Sequence, residues 1–90
     1  MTVQALKTLS NSNPTILTPA VIHSGVDITI QNISTTAIVY IGSSAVSSAN
    51  YGHAIQPESA VAFAVQARDE IYAVSSESGS QVAVLTMGLN

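Results

Sequence analysis

The chain has 90 residues, no cysteine, and 8% charged against 47% apolar residues, with a formal net charge of −3. One domain fits this length, and the apolar content separates the chain from disordered segments, which combine low hydrophobicity with high net charge. Lys7 and Arg68 are the only fixed cations, so no electrostatic footprint exists for a phosphate backbone or an anionic membrane surface.

Met1-Thr2-Val3-Gln4 carries neither a basic n-region nor an apolar h-region, and no run approaches the roughly 20 apolar residues of a membrane span. Neither secretion nor insertion is expected. Residues 2–9 predict an edge strand, and within 1–12 the alternative is an N-terminal arm that adds a strand to a neighbouring subunit. Ser10-Asn11-Ser12-Asn13-Pro14 is turn-forming, Ile16-Leu17 opens a short second element, and Pro19 confines that region to an edge or loop. Val21-Ile22-His23 predicts another short strand.

Val26-Asp27-Ile28-Thr29-Ile30-Gln31 alternates apolar and polar residues, the period that sends Val26, Ile28 and Ile30 inward. Residues 32–36 are the connecting turn. Ala37 to Gly42 is a continuous apolar run, which predicts a strand covered on both faces. The stretch from Ser43 to His53 is long, rich in small polar residues and closed by Tyr51-Gly52-His53, and it is the loop most suited to a functional role. In Ala60 to Val65, Val61, Phe63 and Val65 alternate with alanine, so one face is bulky and the other is small enough to approach a neighbour closely. A strand is preferred over a helix there, because turn signals bracket one strand length and Phe and Val favour sheet. Residues 70–75 and 81–87 flank Ser76-Glu77-Ser78-Gly79-Ser80, in which Gly79 can take a positive φ, and together they read as a hairpin.

The resulting expectation is an all-β single domain over 1–90: a sandwich, a jelly-roll-like fold or a small barrel of six to eight short antiparallel strands. With no cysteine and only His23 and His53, neither disulfides nor a structural zinc is expected to staple so small a fold, which leaves oligomerisation.

Reactive constellations are not found. His23 with Asp27, and His53 with Glu58, supply two ligands each where a metal needs three or four. The serines lack a Gly-x-Ser-x-Gly elbow. The carboxylates Asp27, Glu58, Asp69, Glu70 and Glu77 fall mostly in turns or at strand ends, and the glycines form no phosphate-cradling motif. Asn32-Ile33-Ser34 matches the N-glycosylation triplet without a secretory context to use it. No enzymatic activity, cofactor or metal is expected. Tyr40 and Tyr72 fall within strands, whereas Tyr51 in the loop is open to two roles, an interface anchor or packing on its own domain.

Val39-Tyr40-Ile41-Gly42, Val46-Ser47-Ser48-Ala49-Asn50, Pro57-Glu58-Ser59 and Ile71-Tyr72-Ala73-Val74 together resemble small virion proteins of tailed bacteriophages. In those proteins an apolar strand ends at Gly, a Val-Ser/Thr-x-x-Asn loop follows, and a Pro-x-Ser turn leads into the next strand. Where their pattern has Pro-Gly-Glu-Ser and a Gly-Asp turn, this chain has Pro57-Glu58-Ser59 and Arg68-Asp69. The resemblance implies a capsid decoration or cement protein that binds the major capsid protein on the virion surface as a homo-oligomer, with a trimer favoured, after synthesis in the host cytoplasm. The alternative is a tail or head-fibre component with a receptor- or carbohydrate-binding loop. The interface residues expected on this view are Thr2, Val3, Leu6 and Leu9 in the N-terminal segment, and Tyr51 and His53 at the end of the long loop.

Overall fold

The computed structural model describes residues 2–18, 25–66 and 69–88. Eight strands lie within them: β1 (Val3–Thr8), β2 (Thr15–Ile16), β3 (Val26–Asn32), β4 (Val39–Gly42), β5 (His53–Ile55), β6 (Ala60–Val65), β7 (Tyr72–Ser75) and β8 (Gln81–Met87). No helix interrupts the described residues. The expected strand Val21-Ile22-His23 lies outside them.

The strands form two four-stranded antiparallel sheets, in the orders β1-β8-β3-β6 and β2-β7-β4-β5. The pairs β1·β8, β2·β7, β3·β6 and β4·β5 are nested one inside the next. That is a long antiparallel ribbon wrapped on itself, and the wrapping brings β3 beside β8 and β4 beside β7. This strand order makes the sandwich a jelly roll, one of the architectures expected from the sequence.

Alternation builds the core. On β3, Val26, Ile28 and Ile30 are buried and Asp27 is exposed, and the register with β8 places Ile28 opposite Thr86 and Ile30 opposite Val84 on the same inner face. From the other sheet come Val39, Ile41, Ile55 and Ala73. Leu9 and Leu17, one just after β1 and one just after β2, are both buried, so the corner between the two sheets is itself part of the core. On β6 the strand reading holds, with Val65 buried, Val61 and Phe63 half-buried against the core, and Ala60, Ala62 and Ala64 exposed.

The hairpin expected over 70–87 is not formed. β7 belongs to one sheet and β8 to the other, so Ser76–Ser80 turns a corner of the sandwich. Its backbone bonds outward: Ser76 N–H donates to Ile38 O (2.8 Å) and Gly79 N–H to Leu9 O (2.9 Å). Gly79 does adopt the positive φ (87°) that the sequence reserved for it. A sandwich corner and a hairpin turn ask for the same local residues, and only the partners of the flanking strands tell them apart.

Candidate functional site: two unlike outer faces

The two outer faces of the sandwich differ, and the difference begins at Gly42. This residue ends β4, opposite Tyr72 of β7. A Cβ built on it would stand 3.3 Å from Val46 Cγ2, so glycine is what allows the following loop to lie flat against the sheet. Val46 is buried although its loop neighbours are exposed. The loop is internally bonded: Val46 N–H donates to Ser43 O (3.0 Å), Ser47 and Asn50 exchange N–H···O bonds (2.8 and 3.2 Å), and Gly52 N–H returns to Ile41 O (2.8 Å). Ser43 and Ser47 hydroxyls each accept from the backbone N–H two residues on. The long loop is therefore a fixed platform on the outside of the β2-β7-β4-β5 sheet.

Tyr51 sits on this platform with its ring 4.8 Å from that of Tyr40, tilted by 45°, and remains 49% exposed. It packs on its own domain with one part of the ring and offers the rest to solvent. Tyr51 and Val46 cover the outer side of β4 in part: Val39 and Ile41 are buried on the inner side, and Tyr40 and Gly42 are half-buried on the outer, short of the full double-sided burial expected from the apolar run. His53 opens β5, exposed, with its ring in edge contact with Phe63 at 6.4 Å. His53, Phe63, Ile41, Ile71, Asp69 and Glu70 border an open hollow of about 430 Å³ between the β5 and β6 edges, apolar at its base with carboxylates on its rim. Beside it, partial burial and then the Glu70 carboxylate raise the Tyr72 phenol above its ordinary pKa, and the phenol donates to Glu70 Oε1 (3.4 Å). The phenol therefore stays protonated through the neutral range.

The other outer face belongs to β1-β8-β3-β6. Directly opposed residues share a face, so the registers align Leu6, Ala83, Gln31 and Ala60 in one row and Gln4, Leu85, Thr29 and Ala62 in the next. Among the described residues, Asp27 is the one charged residue on this face. Leu6 is 61% exposed.

The residues expected at an interface are thus divided. Of the two uses open to 1–12, residues 3–8 take that of an edge strand, paired in register with β8 of the same chain. Thr2 and Val3 are exposed beside its start, and Leu6 is on the outer sheet face. Leu9 is only 1% exposed and belongs to the core, so an interface role for it is withdrawn: its side chain fills the corner between the sheets. Tyr51 and His53 are exposed on the opposite side of the sandwich, on the loop platform and the β5 edge. The structure does not bring the two groups together.

Of the weighed ligand pairs, His23 lies outside the described residues, and no group of three His, Cys, Asp or Glu side chains among the described residues could hold a metal ion. The Asn32 amide, within the glycosylation triplet, is fully buried and hydrogen-bonded, which leaves no room for a glycan in this fold. No helix among the described residues is long and apolar enough to cross a membrane. Sequence reasoning missed the role of Gly42, and it read the small alanine face of β6 without the larger surface that the face belongs to. The Ala-x-Ala-x-Ala alternation carried that reading, and the register of β6 with β3 supplies the rest.

The geometry defines a small jelly roll with one self-covered outer face and one open, weakly charged outer face. No protein-family model, curated protein or solved structure matches the chain.

Proposed function

We propose that the chain is a structural virion protein of a tailed bacteriophage, a capsid decoration or cement protein that binds the major capsid protein on the capsid surface as a homo-oligomer. The observation that supports this reading most is the open outer face of the β1-β8-β3-β6 sheet, built mainly of Ala, Leu, Gln and Thr, with Asp27 as the only charge among its described residues. Such a surface costs little to desolvate and has few charges to leave unpaired, which suits a protein whose faces are covered in an assembly. Its likeness to phage virion proteins over Val39–Val74 supplies the phage assignment. Fold class agrees without deciding, since jelly rolls serve as viral capsid domains, lectins and cupins alike.

Cementing follows from linkage. A protein that binds only the assembled shell stabilises it by mass action, because its contacts must be given up before the shell opens. On this reading the chain catalyses nothing. The test is occupancy: quantitative mass spectrometry of purified particles, with copy number taken relative to the major capsid protein. Hundreds of copies support decoration, a handful supports a tail or fibre position, and absence from particles overturns the reading.

A second reading is favoured by Tyr51, half-exposed on a rigid, serine-rich platform. A fixed aromatic ring beside adaptable hydroxyls suits receptor or carbohydrate recognition by a tail or head fibre. A glycan array probed with the wild type and with Tyr51→Ala tests it: hits lost in the variant support it, and no hits remove it.

A further inference from the structure

We infer that two copies of this chain pair face to face through the outer surface of the β1-β8-β3-β6 sheet, about a two-fold axis parallel to the strands. The inference deepens the oligomer part of the reading above, and it concerns the isolated chain, whereas particle occupancy is read on virions.

The relief of this face carries the argument. Its bulky side chains, Leu6, Leu85 and Met87, stand on β1 and β8, at 61%, 36% and 42% exposure. On the other side, β6 presents Ala60, Ala62 and Ala64, all exposed. A two-fold axis along the strands, midway between β8 and β3, lays β1 of one copy over β6 of the other. On the outer strands Leu6 and Gln4 of one copy then lie over Ala60 and Ala62 of the other, and on the inner strands Ala83 meets Gln31 and Leu85 meets Thr29, so that larger side chains face smaller ones, twice over. A two-fold axis across the strands would set leucine on leucine and alanine on alanine, leaving clashes and gaps. One surface that carries both a ridge and its matching recess is what an isologous contact requires.

Three further observations bear on the occupant. The opposite outer face is already covered by its own loop through Val46 and Tyr51, so it is not the equivalent surface. Among its described residues the open face has one charge, Asp27, at the end of the sheet, so a second copy meets little like-charge repulsion, whereas a strongly charged partner would find little to pair with. Four strands about 4.8 Å apart, six to seven residues long at about 3.3 Å per residue, span about 19 by 21 Å. Two such faces remove about 800 Å² in projection and more in corrugated surface, near the lower limit of about 1,000 Å² for a specific interface. The pairing closes at two copies, in place of the trimer implied by the family resemblance.

Sedimentation of the full chain over a concentration series tests this. The wild type is expected to pass from monomer to dimer and stop there. Leu85→Lys, which sets a charge on the ridge, is expected to weaken dimerisation at least about tenfold. Ala62→Phe fills the recess and is expected to weaken it to a similar degree although it adds apolar surface, whereas an unspecific sticky patch would associate more strongly. Ser78→Lys, in the exposed corner before β8, leaves the dimer unchanged. Circular dichroism on dilute samples checks that each variant keeps the sheet signal. A wild type that is monomeric throughout, a trimer, or a dimer indifferent to both face variants overturns the proposal, and the last of these points to pairing elsewhere.

Discussion

Two residues are strained or buried in ways that predict measurable changes. Glu58 is the one described residue other than glycine with a positive φ (63°). Ser59 N–H donates to Gln56 O (3.1 Å), so Gln56-Pro57-Glu58-Ser59 is a type II turn with proline at its second position and Glu58 where glycine belongs. The left-handed region costs a residue with a Cβ about 1 kcal/mol. Glu58→Gly is therefore expected to raise stability by about 0.5 kcal/mol, the relief of strain exceeding the extra freedom glycine gains when unfolded, as read by urea unfolding with an unchanged slope. Asn32 has the opposite character. Fully buried at the end of β3, its Nδ2 donates to the carbonyls of Ala37 (2.8 Å), Ile55 (3.1 Å) and Gln56 (3.2 Å), and its Oδ1 accepts from Ser34 N–H (3.0 Å). One side chain thereby ties the end of one sheet to β5 and the approach to β4 in the other. Asn32→Asp removes both donors and sets a carboxylate against three carbonyl oxygens, with an expected loss of about 3 kcal/mol or more at neutral pH. Burial raises the folded-state pKa of such a carboxyl. Stability of the variant is then greatest below the unfolded carboxyl pKa of about 3.9 and falls as pH rises toward the raised folded value, opposite to the usual carboxylate.

At the scale of elements, Gly42 decides whether the loop from Ser43 to Gly52 can lie on its sheet. Gly42→Val places branched carbons where the first Cβ is already 3.3 Å from Val46. The loop must lift, at a cost of about 1–3 kcal/mol. Hydrogen exchange is expected to quicken at the amides of Val46, Asn50 and Gly52, which bond within the loop or back to Ile41, while the amides of β3 and β8 keep their protection. Uniform loss of protection in both sheets would show instead that the loop is a cooperative part of the core. The strands themselves were legible in the sequence because period-two alternation in Val26–Gln31 and Ala60–Val65 states which face is buried. What alternation cannot state is the partner. Residues 76–80 read as a hairpin turn yet cross between the sheets, as does the segment from Ile55 to Ala60, whereas the long stretch after Gly42 joins β4 to β5 within one sheet. The candidate surface was legible only as a composition of small residues. The asymmetry between leucines on β1 and β8 and alanines on β6 emerges once register sets strands from opposite ends of the chain side by side.

The whole molecule is closed by its two ends. β1 and β8 pair in register from Val3 opposite Thr86 to Thr8 opposite Gln81, and Leu9 N–H donates to Ser80 O (2.7 Å) as the ladder ends. Such pairings bring together residues far apart in sequence, so their loop entropy is lost before they contribute, and folding in the slow range of about milliseconds to seconds is expected of a wrapped β topology. The same closure decides between a structural strand and a detachable arm. Deleting residues 2–9 removes the whole β1 ladder, leaves the β8 edge unpaired and takes Leu9 out of the core. Loss of one buried leucine alone costs about 2–5 kcal/mol, and a domain this small holds about 5–15 kcal/mol in all. The truncated chain is thus expected to lose its cooperative thermal transition, followed by circular dichroism, and not merely its association. A truncated chain that melts cooperatively near the wild-type temperature would mean that β1 adds little to the fold, and that the segment is free to exchange between subunits as an arm. Leu9→Ala separates the two contributions, since it empties the corner between the sheets while every backbone bond of β1 remains. If core filling is what binds the N-terminal strand, that single change reproduces most of the destabilisation, and the ladder without it contributes the smaller part.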